Sequence, residues 1–272
     1  MTWTRRKFIK AGLWAGISFI LLDSFWFEKY FIETNDFNLG KATDDNFDLK
    51  VIQVSDLHLQ SLNGQLKRLA NNINEQKPDL ILITGDSVDN MKNVFVLNQF
   101  LGLIHSDIKK FAILGNWEYW GGINLEDLRL SYSLNNCELL INSSRQLTFR
   151  NKTISITGID DYVGGNADID LAIKEFKQSD YHIILNHCPE YGDIISEKLK
   201  GKIPYDFMLS GHTHGGQINI FGFVPFKPQG SGKYLKGWYK DKNIYVSKGI
   251  GTSIFPARFM AKAEIAVFKM LT

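Results

Sequence analysis

The segment Leu80-Ile-Leu-Ile-Thr-Gly-Asp-Ser-Val-Asp89 places a continuous apolar run directly before a glycine and two aspartates. An apolar run of this length that ends in a polar turn is typical of a strand buried on both faces. In open α/β sheets, ligands bind at the carboxyl ends of such strands. We therefore expect this segment to form a buried strand that delivers Asp86 to a functional site.

Apolar runs of the same kind recur along the chain, so we predict a series of short strands. These are Leu49–Val54, Leu80–Ile83, Phe111–Leu114, Ile154–Thr157, His182–Leu185, Phe207–Leu209, Ile244–Val246 and Ile265–Phe268. Apolar residues with helical spacing predict amphipathic helices between them. The helical sets are Leu66, Leu69 and Ile73; Val94, Leu97, Leu101 and Ile104; and Ile169, Ile173 and Phe176. The stretch Glu138–Phe149 has the pattern of a β-hairpin, and the whole order predicts a layered α/β domain.

Composition limits the classes of protein to which the chain can belong. With 272 residues and 44% hydrophobic content, it can bury the core of one large domain. Its net charge of +2 gives no sign of a concentrated basic face, so we expect no nucleic-acid partner. The two cysteines, Cys137 and Cys188, exclude a disulfide scaffold and a four-thiolate zinc site.

The N-terminus has the composition of a targeting segment. Thr4-Arg-Arg-Lys-Phe-Ile-Lys10 is positively charged, and an uncharged, mostly apolar run follows from Ala11 to Leu22. That run is shorter than the roughly 20 apolar residues that span a bilayer as a straight helix, and it fits the apolar region of an export signal. The basic segment resembles the twin-arginine export motif. The sequence therefore predicts export by the twin-arginine machinery.

No small-residue cleavage site follows the apolar run. The chain continues through the aromatic segment Asp23–Ile32, and aromatic side chains are favoured at a membrane–water interface. We expect residues 1–34 to be an uncleaved membrane anchor, residues 35–48 a linker and residues 49–272 the catalytic domain. The domain is then expected on the extracytoplasmic face, periplasmic or cell-envelope, of a bacterial inner membrane. The alternative is a cleaved, secreted product.

Five of the predicted strands end in turns that carry Asp, Asn or His. The turns are Val54-Ser-Asp-Leu-His58, Thr84-Gly-Asp-Ser-Val-Asp89, Gly115-Asn116, Asn186-His187 and Ser210-Gly-His-Thr-His214. Each turn alone has an ordinary explanation as a helix cap, a tight turn or a core histidine. Together they supply enough oxygen and nitrogen ligands for two metal ions of the Mn, Zn, Fe or Mg type. Two ions about 3.5–4 Å apart suit an in-line phosphoryl displacement.

These five turns, in this order, resemble the motifs of the calcineurin-like metallophosphoesterase superfamily, and the resemblance covers residues 49 to 270. It implies a four-layer αββα sandwich of two mixed β-sheets flanked by helices. It also implies a two-metal enzyme that hydrolyses phosphoester or pyrophosphate bonds. The expected substrate is a phosphorylated small molecule or a lipid-linked phosphate.

The resemblance assigns a role to each polar turn. Matched by position, the first metal is held by Asp56, His58 and His214. The second metal is held by Asn116, His187 and His212. Asp86 bridges the two ions, and Asp89 supports the ligands from behind. We therefore assign catalysis to Asp86, Asn116 and Asp89, and we expect His105, His182, Asn186 and Asn219 to be structural.

Further segments resemble one subgroup, in which twin-arginine-exported and membrane-associated phosphoesterases are related to UDP-2,3-diacylglucosamine pyrophosphatases of lipid A synthesis. The segments are Gly158–Asp161, Gly211–Gln217, Gly249–Ser253 and Arg258-Phe259. Two alternatives stay open beside an exported phosphoesterase. One is the lipid A pyrophosphatase, whose substrate is cytoplasmic; the other is a non-catalytic, metal-bound scaffold.

One residue departs from the pattern of the superfamily. Where many members have Gly-Asn-His, and the histidine protonates the leaving oxygen, this chain has Trp117. Indole has no titratable proton near neutral pH, and general acid catalysis is typically worth 10²–10⁴-fold. Three explanations remain: a leaving group that needs no proton, another proton donor, or lost catalysis.

Overall fold

The computed structural model describes residues 4–39 and 49–270. The strands in these ranges are β1 (Glu33–Leu39), β2 (Leu49–Val54), β3 (Leu80–Thr84), β4 (Lys109–Ile113), β5 (Cys137–Leu139), β6 (Ser143–Phe149), β7 (Lys152–Gly158), β8 (Tyr181–Leu185), β9 (Phe207–Ser210), β10 (Gly237–Tyr239), β11 (Ile244–Val246) and β12 (Glu264–Met270). All eight strands predicted from the apolar runs are present, with ends that differ by no more than two residues.

The helically spaced apolar residues around Leu66, Val94 and Ile169 predict three of the helices. Within the described residues, two α-helices precede β1 and the others lie between strands. The helices are α1 (Arg5–Leu22), α2 (Glu28–Tyr30), α3 (Gly64–Gln76), α4 (Val94–Leu101), α5 (Asn116–Trp120), α6 (Leu125–Ser133), α7 (Ile169–Ala172) and α8 (Tyr191–Leu199). Two are shorter than predicted. Ile104 lies beyond the end of α4, and α7 ends at Ala172 although the apolar spacing continues to Phe176.

The strands form two mixed sheets of six strands each, in the orders β1-β12-β2-β3-β4-β5 and β10-β11-β9-β8-β7-β6. In the first sheet β2, β3, β4 and β5 run parallel, and in the second β7, β8, β9 and β11 run parallel. The sheets pack face to face over a shared core. Each outer face is covered by helices, so the four-layer α/β sandwich predicted for this chain is confirmed.

The layers follow from the burial of each strand on both faces. The inner core joins Val51, Leu82 and Phe111 of the first sheet to Ile183 and Leu209 of the second. On the outer face of the first sheet, apolar residues of α3, α4 and α6 pack on the strands, and α7 and α8 do the same on the second sheet. The nearly continuous apolar runs are thus explained, because both faces of each central strand are covered.

The hairpin predicted over Glu138–Phe149 is wrong. β5 pairs in parallel with β4 in the first sheet, whereas β6 pairs antiparallel with β7 in the second. The chain therefore crosses from one sheet to the other between Leu139 and Ser143. A hairpin and a crossing between two stacked sheets have the same local pattern of short strands and a turn, and only long-range pairing distinguishes them.

The first part of the predicted linker is also wrong. Residues 35–39 belong to β1, which runs parallel to β12 at the edge of the first sheet. Its sequence, Glu33-Thr-Asn-Asp-Phe-Asn-Leu39, is polar because one face of this edge strand stays partly exposed, so it has no continuous apolar run. Residues 40–48 lie outside the described residues.

The segment after α1 docks on the α/β sandwich. Asp23–Phe27 forms a π-helical turn that leads into α2, and the backbone carbonyl of Ser24 accepts a hydrogen bond from Arg258 N–H at 2.9 Å. The buried carboxylate of Glu28 accepts hydrogen bonds from the N–H groups of Met260 and Ala261, both at 2.8 Å. Among the described residues, no helix combines the length and the apolar content needed to cross a membrane.

Glu28→Ala is expected to lower the free energy of unfolding by about 2–3 kcal/mol, because two N–H groups lose a charged acceptor in a buried position. Urea denaturation of the full chain measures the effect. Glu75→Ala, at an exposed position on α3, is the matched control and is expected to change stability by less than about 0.5 kcal/mol. Equal effects of the two substitutions would contradict a stabilising role for this contact.

Candidate metal centre

Five strand ends converge on one edge of the sandwich. β2, β3 and β4 are parallel neighbours in the first sheet, and β8 and β9 are parallel neighbours in the second. Because the two sheets stack, the turns that follow these strands meet between them. All seven residues predicted as metal ligands lie in this place and are buried: Asp56, His58, Asp86, Asn116, His187, His212 and His214.

The first cluster combines Asp56, His58, Asp86 and His214, whose ligand atoms all lie within 4.8 Å of one another. The Nε2 atoms of His58 and His214 face each other at 3.1 Å. Nε2 of His58 lies 3.7 Å from Oδ2 of Asp86, and Nε2 of His214 lies 3.6 Å from Oδ1 of Asp56. Two carboxylates and two imidazoles around one point are a suitable ligand set for a divalent ion.

The second cluster shares Asp86 with the first and adds His187 and His212. Nε2 of His187 lies 3.2 Å from Oδ2 of Asp86. On the other side, Nδ1 of His212 lies 2.8 Å from Oδ1 of Asn116, and its Nε2 donates to the carbonyl of Gln229 at 2.7 Å. The proton on Nε2 leaves the lone pair on Nδ1, beside the Asn116 oxygen. The lone pair of His212 Nδ1 and the oxygen Oδ1 of Asn116 therefore lie side by side, where both could bind one cation.

His187 provides the test of whether metals fit. Its Nδ1 donates to the Thr84 carbonyl at 2.7 Å, which leaves the lone pair on Nε2. Within the described residues, Nε2 is fully buried and makes no hydrogen bond, although Asp86 lies at ion-pair distance. A buried polar atom without a partner is costly. A cation between His187, His212 and Asp86 would satisfy it, so the residues present fit a metal.

The backbone of the site is strained. Five of the seven residues have left-handed φ angles: Asp56 (50°), His58 (43°), Asp86 (52°), His212 (72°) and His214 (50°). Only a few per cent of non-glycine residues adopt this conformation, and it concentrates where function demands it. Here the sharp turns point the side chains inward, toward the shared centre.

The glycines in these motifs allow close approach of the turns. A Cβ at Gly85 would lie 2.5 Å from Nδ1 of His187, and the φ of Gly85 is +87°. A Cβ at Gly115 would collide with the carboxylate of Asp86. The glycines of Gly-Asp and Gly-Asn are therefore required by packing between the turns, not only by the turns themselves.

Two buried residues that the motifs do not assign, Glu118 and Arg258, support the site. The carboxylate of Glu118 accepts hydrogen bonds from the N–H groups of Ser87 (2.6 Å), Gly115 (2.8 Å) and Asp86 (3.1 Å), and so joins two ligand turns. A signal for it exists, because Glu118 stands three residues after the helix-capping Gly115, the spacing of a capping box.

Arg258 is the second supporting residue; it belongs to the segment Arg258-Phe259 of the subgroup resemblance, but no local pattern predicts its contacts. Its guanidinium is fully buried and donates to the carbonyls of Lys248 (2.8 Å), Ala261 (2.9 Å) and Gly251 (3.0 Å). Nη2 also lies 3.3 Å from Nδ1 of His214. Burial lowers the pKa of Arg258 to about 10, so it stays charged at neutral pH. Arg258 thus holds the 248–261 segment against the His214 side of the site.

The electrostatics match a site for cations. Burial would raise the pKa of the Asp86 carboxyl, but the neighbouring His187 and His58 outweigh it and hold this pKa well below its ordinary value. Burial, together with the nearby charges of His58 and Arg258, lowers the pKa of His214 well below its usual range. Burial also lowers the pKa of His212. The ionised carboxylate of Asp86 and the neutral imidazoles of His212 and His214 are the forms that bind metals. Burial opposes protonation of His58 and His187, but the neighbouring carboxylates outweigh it and raise the pKa of both rings.

Asp89 lies behind the site and orients a ligand. Its Oδ1 is 2.5 Å from Nδ1 of His58, so the proton of the ring is on Nδ1 and the lone pair of Nε2 faces the cluster.

Asp89→Asn is expected to weaken metal binding by about 10–100-fold, since an amide fixes this tautomer poorly. Titration of chelator-treated protein with Mn²⁺ measures the change, with the exposed Asp107→Asn as control. Unchanged affinity would contradict the orienting role.

The remaining polar candidates have structural contacts. His182, within β8, bonds to Thr157 Oγ1 at 2.9 Å and to the Pro204 carbonyl at 2.8 Å. The amide of Asn186 donates to the Cys188 carbonyl, and Asn219 Oδ1 accepts from Gly222 N–H. His105 is exposed in the loop after α4. Among the described residues, His105 and His182 are thus the histidines outside the site.

Comparisons with known proteins agree with this geometry. Residues 49–216 match the family model described as calcineurin-like phosphoesterase. The uncharacterized metallophosphoesterase YkuE of Bacillus subtilis (strain 168) is 30% identical over 256 residues, which cover 90% of this chain and 87% of that protein. An uncharacterized metallophosphoesterase of Helicobacter pylori (strain ATCC 700392 / 26695) is 32% identical over 98% of this chain and 73% of its own length. The phosphodiesterase YaeI of Escherichia coli (strain K12) is 26% identical over 72% of both chains.

Proposed function

Since this chain belongs to the calcineurin-like phosphoesterase family, we propose that it is an exported, membrane-associated enzyme that cleaves phosphodiester or pyrophosphate bonds with good leaving groups. It is a metal-dependent phosphoester hydrolase, and its family uses a dinuclear metal centre. The position of Asp86 in both clusters is the observation that carries the proposed mechanism, because one carboxylate then serves two ions.

We assign the ligands by their places in the two clusters. Asp56, His58 and His214 would hold the first ion, and Asn116, His187 and His212 would hold the second. Asp86 would serve both, because its Oδ2 faces Nε2 of His58 from one side and Nε2 of His187 from the other. When bound, two divalent ions supply Lewis-acid polarisation of the phosphoryl oxygens and a nucleophile from water.

Residues around the two clusters hold the candidate ligands in fixed positions. Asp89 and Glu118 hold His58 and the ligand turns in place through the hydrogen bonds described above. The N–H of Trp117 donates to Oδ1 of Asp86 at 2.9 Å, which leaves Oδ2 to face the histidines. Such preorganisation lets the charge that develops on the phosphoryl group be stabilised without movement of the protein.

Trp117 defines the class of leaving group. Its indole ring stands edge-to-face to the His58 ring, with centroids 6.0 Å apart, and contacts Trp120 at 5.6 Å. The position from which a histidine would donate a proton is thus occupied by an apolar ring. A leaving group that departs as a stable anion, such as a nucleotide, an activated alcohol or a phosphorylated group, needs no such donor.

We place the enzyme at a membrane because of its N-terminal segment. α1 carries the arginine pair followed by exposed Ile9, Leu13 and Trp14, and the aromatic segment that follows continues this apolar surface. We propose that α1 is the export and membrane-binding element, and that the segment from Asp23 onward belongs with the catalytic domain. The contacts of Ser24 and Glu28 support this boundary.

A substrate screen on the full chain tests the activity. Metal-loaded protein is expected to hydrolyse bis-p-nitrophenyl phosphate, to lose activity with a chelator and to regain it with Mn²⁺, Zn²⁺, Fe²⁺ or Mg²⁺. The screen includes UDP-2,3-diacylglucosamine, since turnover of this pyrophosphate would favour the lipid A enzyme. Full activity of metal-free protein would contradict the metal mechanism, and metal binding without any turnover would favour a scaffold.

The location is tested separately, by fractionation of cells that express the chain with a reporter at its C-terminus. An extracytoplasmic reporter in the membrane fraction is expected. Arg5→Lys with Arg6→Lys should block export, because both substitutions keep the charge and remove the arginine pair. A cytoplasmic reporter on the unsubstituted chain would overturn the export proposal and favour a cytoplasmic substrate.

A further inference from the structure

An apolar cavity opens beside the metal centre. It has a volume of about 430 Å³ and lies between the turn that carries His214, the 225–228 loop and the 253–255 loop. His214 itself is one of the residues that line it. Most of the wall is apolar, formed by Ile218, Pro225, Phe226, Pro228, Ile254 and Phe255. The volume is within the range of small-molecule sites, so a hydrocarbon group can lie in it while a phosphate lies at the metals.

The mouth of the cavity is surrounded by large exposed apolar side chains. Ile254 is 77% exposed, Phe226 66% and Phe255 51%, and the neighbouring turn presents Phe221 at 86% and Phe223 at 67%. Phe221 also has a φ of +50°, a strained conformation for an aromatic residue at an exposed turn. Single exposed apolar residues are ordinary, but a group of them around one opening indicates a ligand or membrane contact.

This apolar mouth is continuous with the N-terminal segment. The Phe25 ring packs edge-to-face on the Phe255 ring, with centroids 5.7 Å apart. Next to Phe25, the side chains of Trp26, Phe27 and Phe31 are exposed. The segment that directly follows the proposed membrane-binding helix α1 thus extends to the entrance of the cavity. Aromatic side chains of this kind are stable at the membrane–water interface.

We infer that the cavity beside His214 binds the hydrocarbon chain of an amphiphilic phosphoester taken from the bilayer surface. The inference rests on the proposed function, because it assumes that the metal centre receives the phosphate. The phosphate end lies at the cluster that contains Asp86 and His214, and the chain extends past Ile218 toward Phe226 and Ile254. The substrate class is therefore a lipid-like phosphodiester, not a freely soluble nucleotide.

Chain-length dependence tests this directly. The full chain, bound to phosphatidylglycerol–phosphatidylethanolamine vesicles, is assayed with butyl, octyl and dodecyl p-nitrophenyl phosphate, which share one leaving group. Water attacks phosphorus, the P–O bond to the p-nitrophenyl group breaks, and p-nitrophenolate, a proton and the alkyl phosphate are released. We expect kcat/KM to rise up to about fourfold per methylene until the chain fills the cavity. Bis-p-nitrophenyl phosphate measures the basal activity.

Substitutions at the mouth separate a cavity effect from partition into the vesicle. Ile254→Asp and Phe226→Asp are expected to abolish the gain with chain length and to leave hydrolysis of bis-p-nitrophenyl phosphate unchanged. Phe95→Asp, at a 65% exposed position on α4, is the matched control and should keep the gain. A rate independent of chain length, or a gain kept in both mouth variants, would overturn the inference and leave the proposed function standing.

A binding measurement covers the case in which no ester is hydrolysed, which would contradict the proposed function. A dodecyl phosphonate with a terminal diazirine is photolysed with the vesicle-bound chain, with and without chelator. We expect adducts in residues 218–228 and 253–255, at least fivefold fewer in Ile254→Asp. Adducts spread evenly over the chain, or unchanged in that variant, would overturn the inference whatever the catalytic result.

Discussion

Asp86→Asn is expected to remove both metal ions and to lower kcat/KM for bis-p-nitrophenyl phosphate by about 10³-fold or more. The reason is that Oδ2 of Asp86 lies 3.7 Å from Nε2 of His58 and 3.2 Å from Nε2 of His187, so one charge serves both clusters. Asn has nearly the same volume, and its oxygen can still accept the hydrogen bond from Trp117 N–H. Metal content by mass spectrometry, together with turnover, measures the loss.

Asp56→Asn is the informative comparison, because Asp56 belongs to the first cluster alone. It is expected to lose the first ion and to retain the second, whereas Asp86→Asn loses both. Asp127→Asn, at an exposed position on α6, should retain both ions and full turnover. Two tightly bound ions in Asp86→Asn, with unchanged turnover, would contradict a bridging role for this carboxylate.

Trp117→His is expected to increase kcat/KM for alkyl esters with poor leaving groups by about 10²-fold, because it introduces a proton donor beside the metal ligands. Esters of p-nitrophenol should change little, since that leaving group departs without a proton. The measurement is the dependence of rate on the pKa of the leaving alcohol. A strong dependence in the unsubstituted chain should become weak in Trp117→His.

Trp120→His provides the control for loss of an aromatic contact. Trp120 packs against Trp117 but is mostly exposed, so a histidine there is not expected to help poor leaving groups. If the unsubstituted chain already cleaves alkyl and p-nitrophenyl esters at similar rates, another group supplies the proton. The proposed restriction to good leaving groups would then be wrong.

The sequence predicted those parts of the fold that depend on local pattern. The run Leu80–Ile83 forms a strand that is buried on both faces. Because both faces are buried, every residue of the run is apolar, and the run is recognisable in the sequence. The position of the polar turns is predictable for a related reason. A polar residue that follows a buried strand lies at the edge of the sheet, and parallel neighbouring strands bring these residues together.

Features that depend on distant parts of the chain were not predicted. β5 and β6 belong to different sheets because of their partners, not their own residues. β1 is a polar edge strand that pairs with β12, more than 220 residues away along the chain. The contacts of Arg258 and the cavity beside His214 also depend on distant parts of the chain. Each is assembled from segments that have no common local pattern, so only the folded chain identifies them.

Because Glu28 binds residues of the α/β sandwich, cleavage of the N-terminal segment would change the stability of the fold. A signal peptidase that cut between Glu28 and Glu33 would remove the carboxylate that binds the N–H groups of Met260 and Ala261. The carbonyl of Ala261 in turn accepts a hydrogen bond from Arg258, which contacts His214. Proteolytic maturation at this point would therefore loosen the wall of the active centre. We expect the mature enzyme to keep its leader, and its intact mass to be that of the uncut chain.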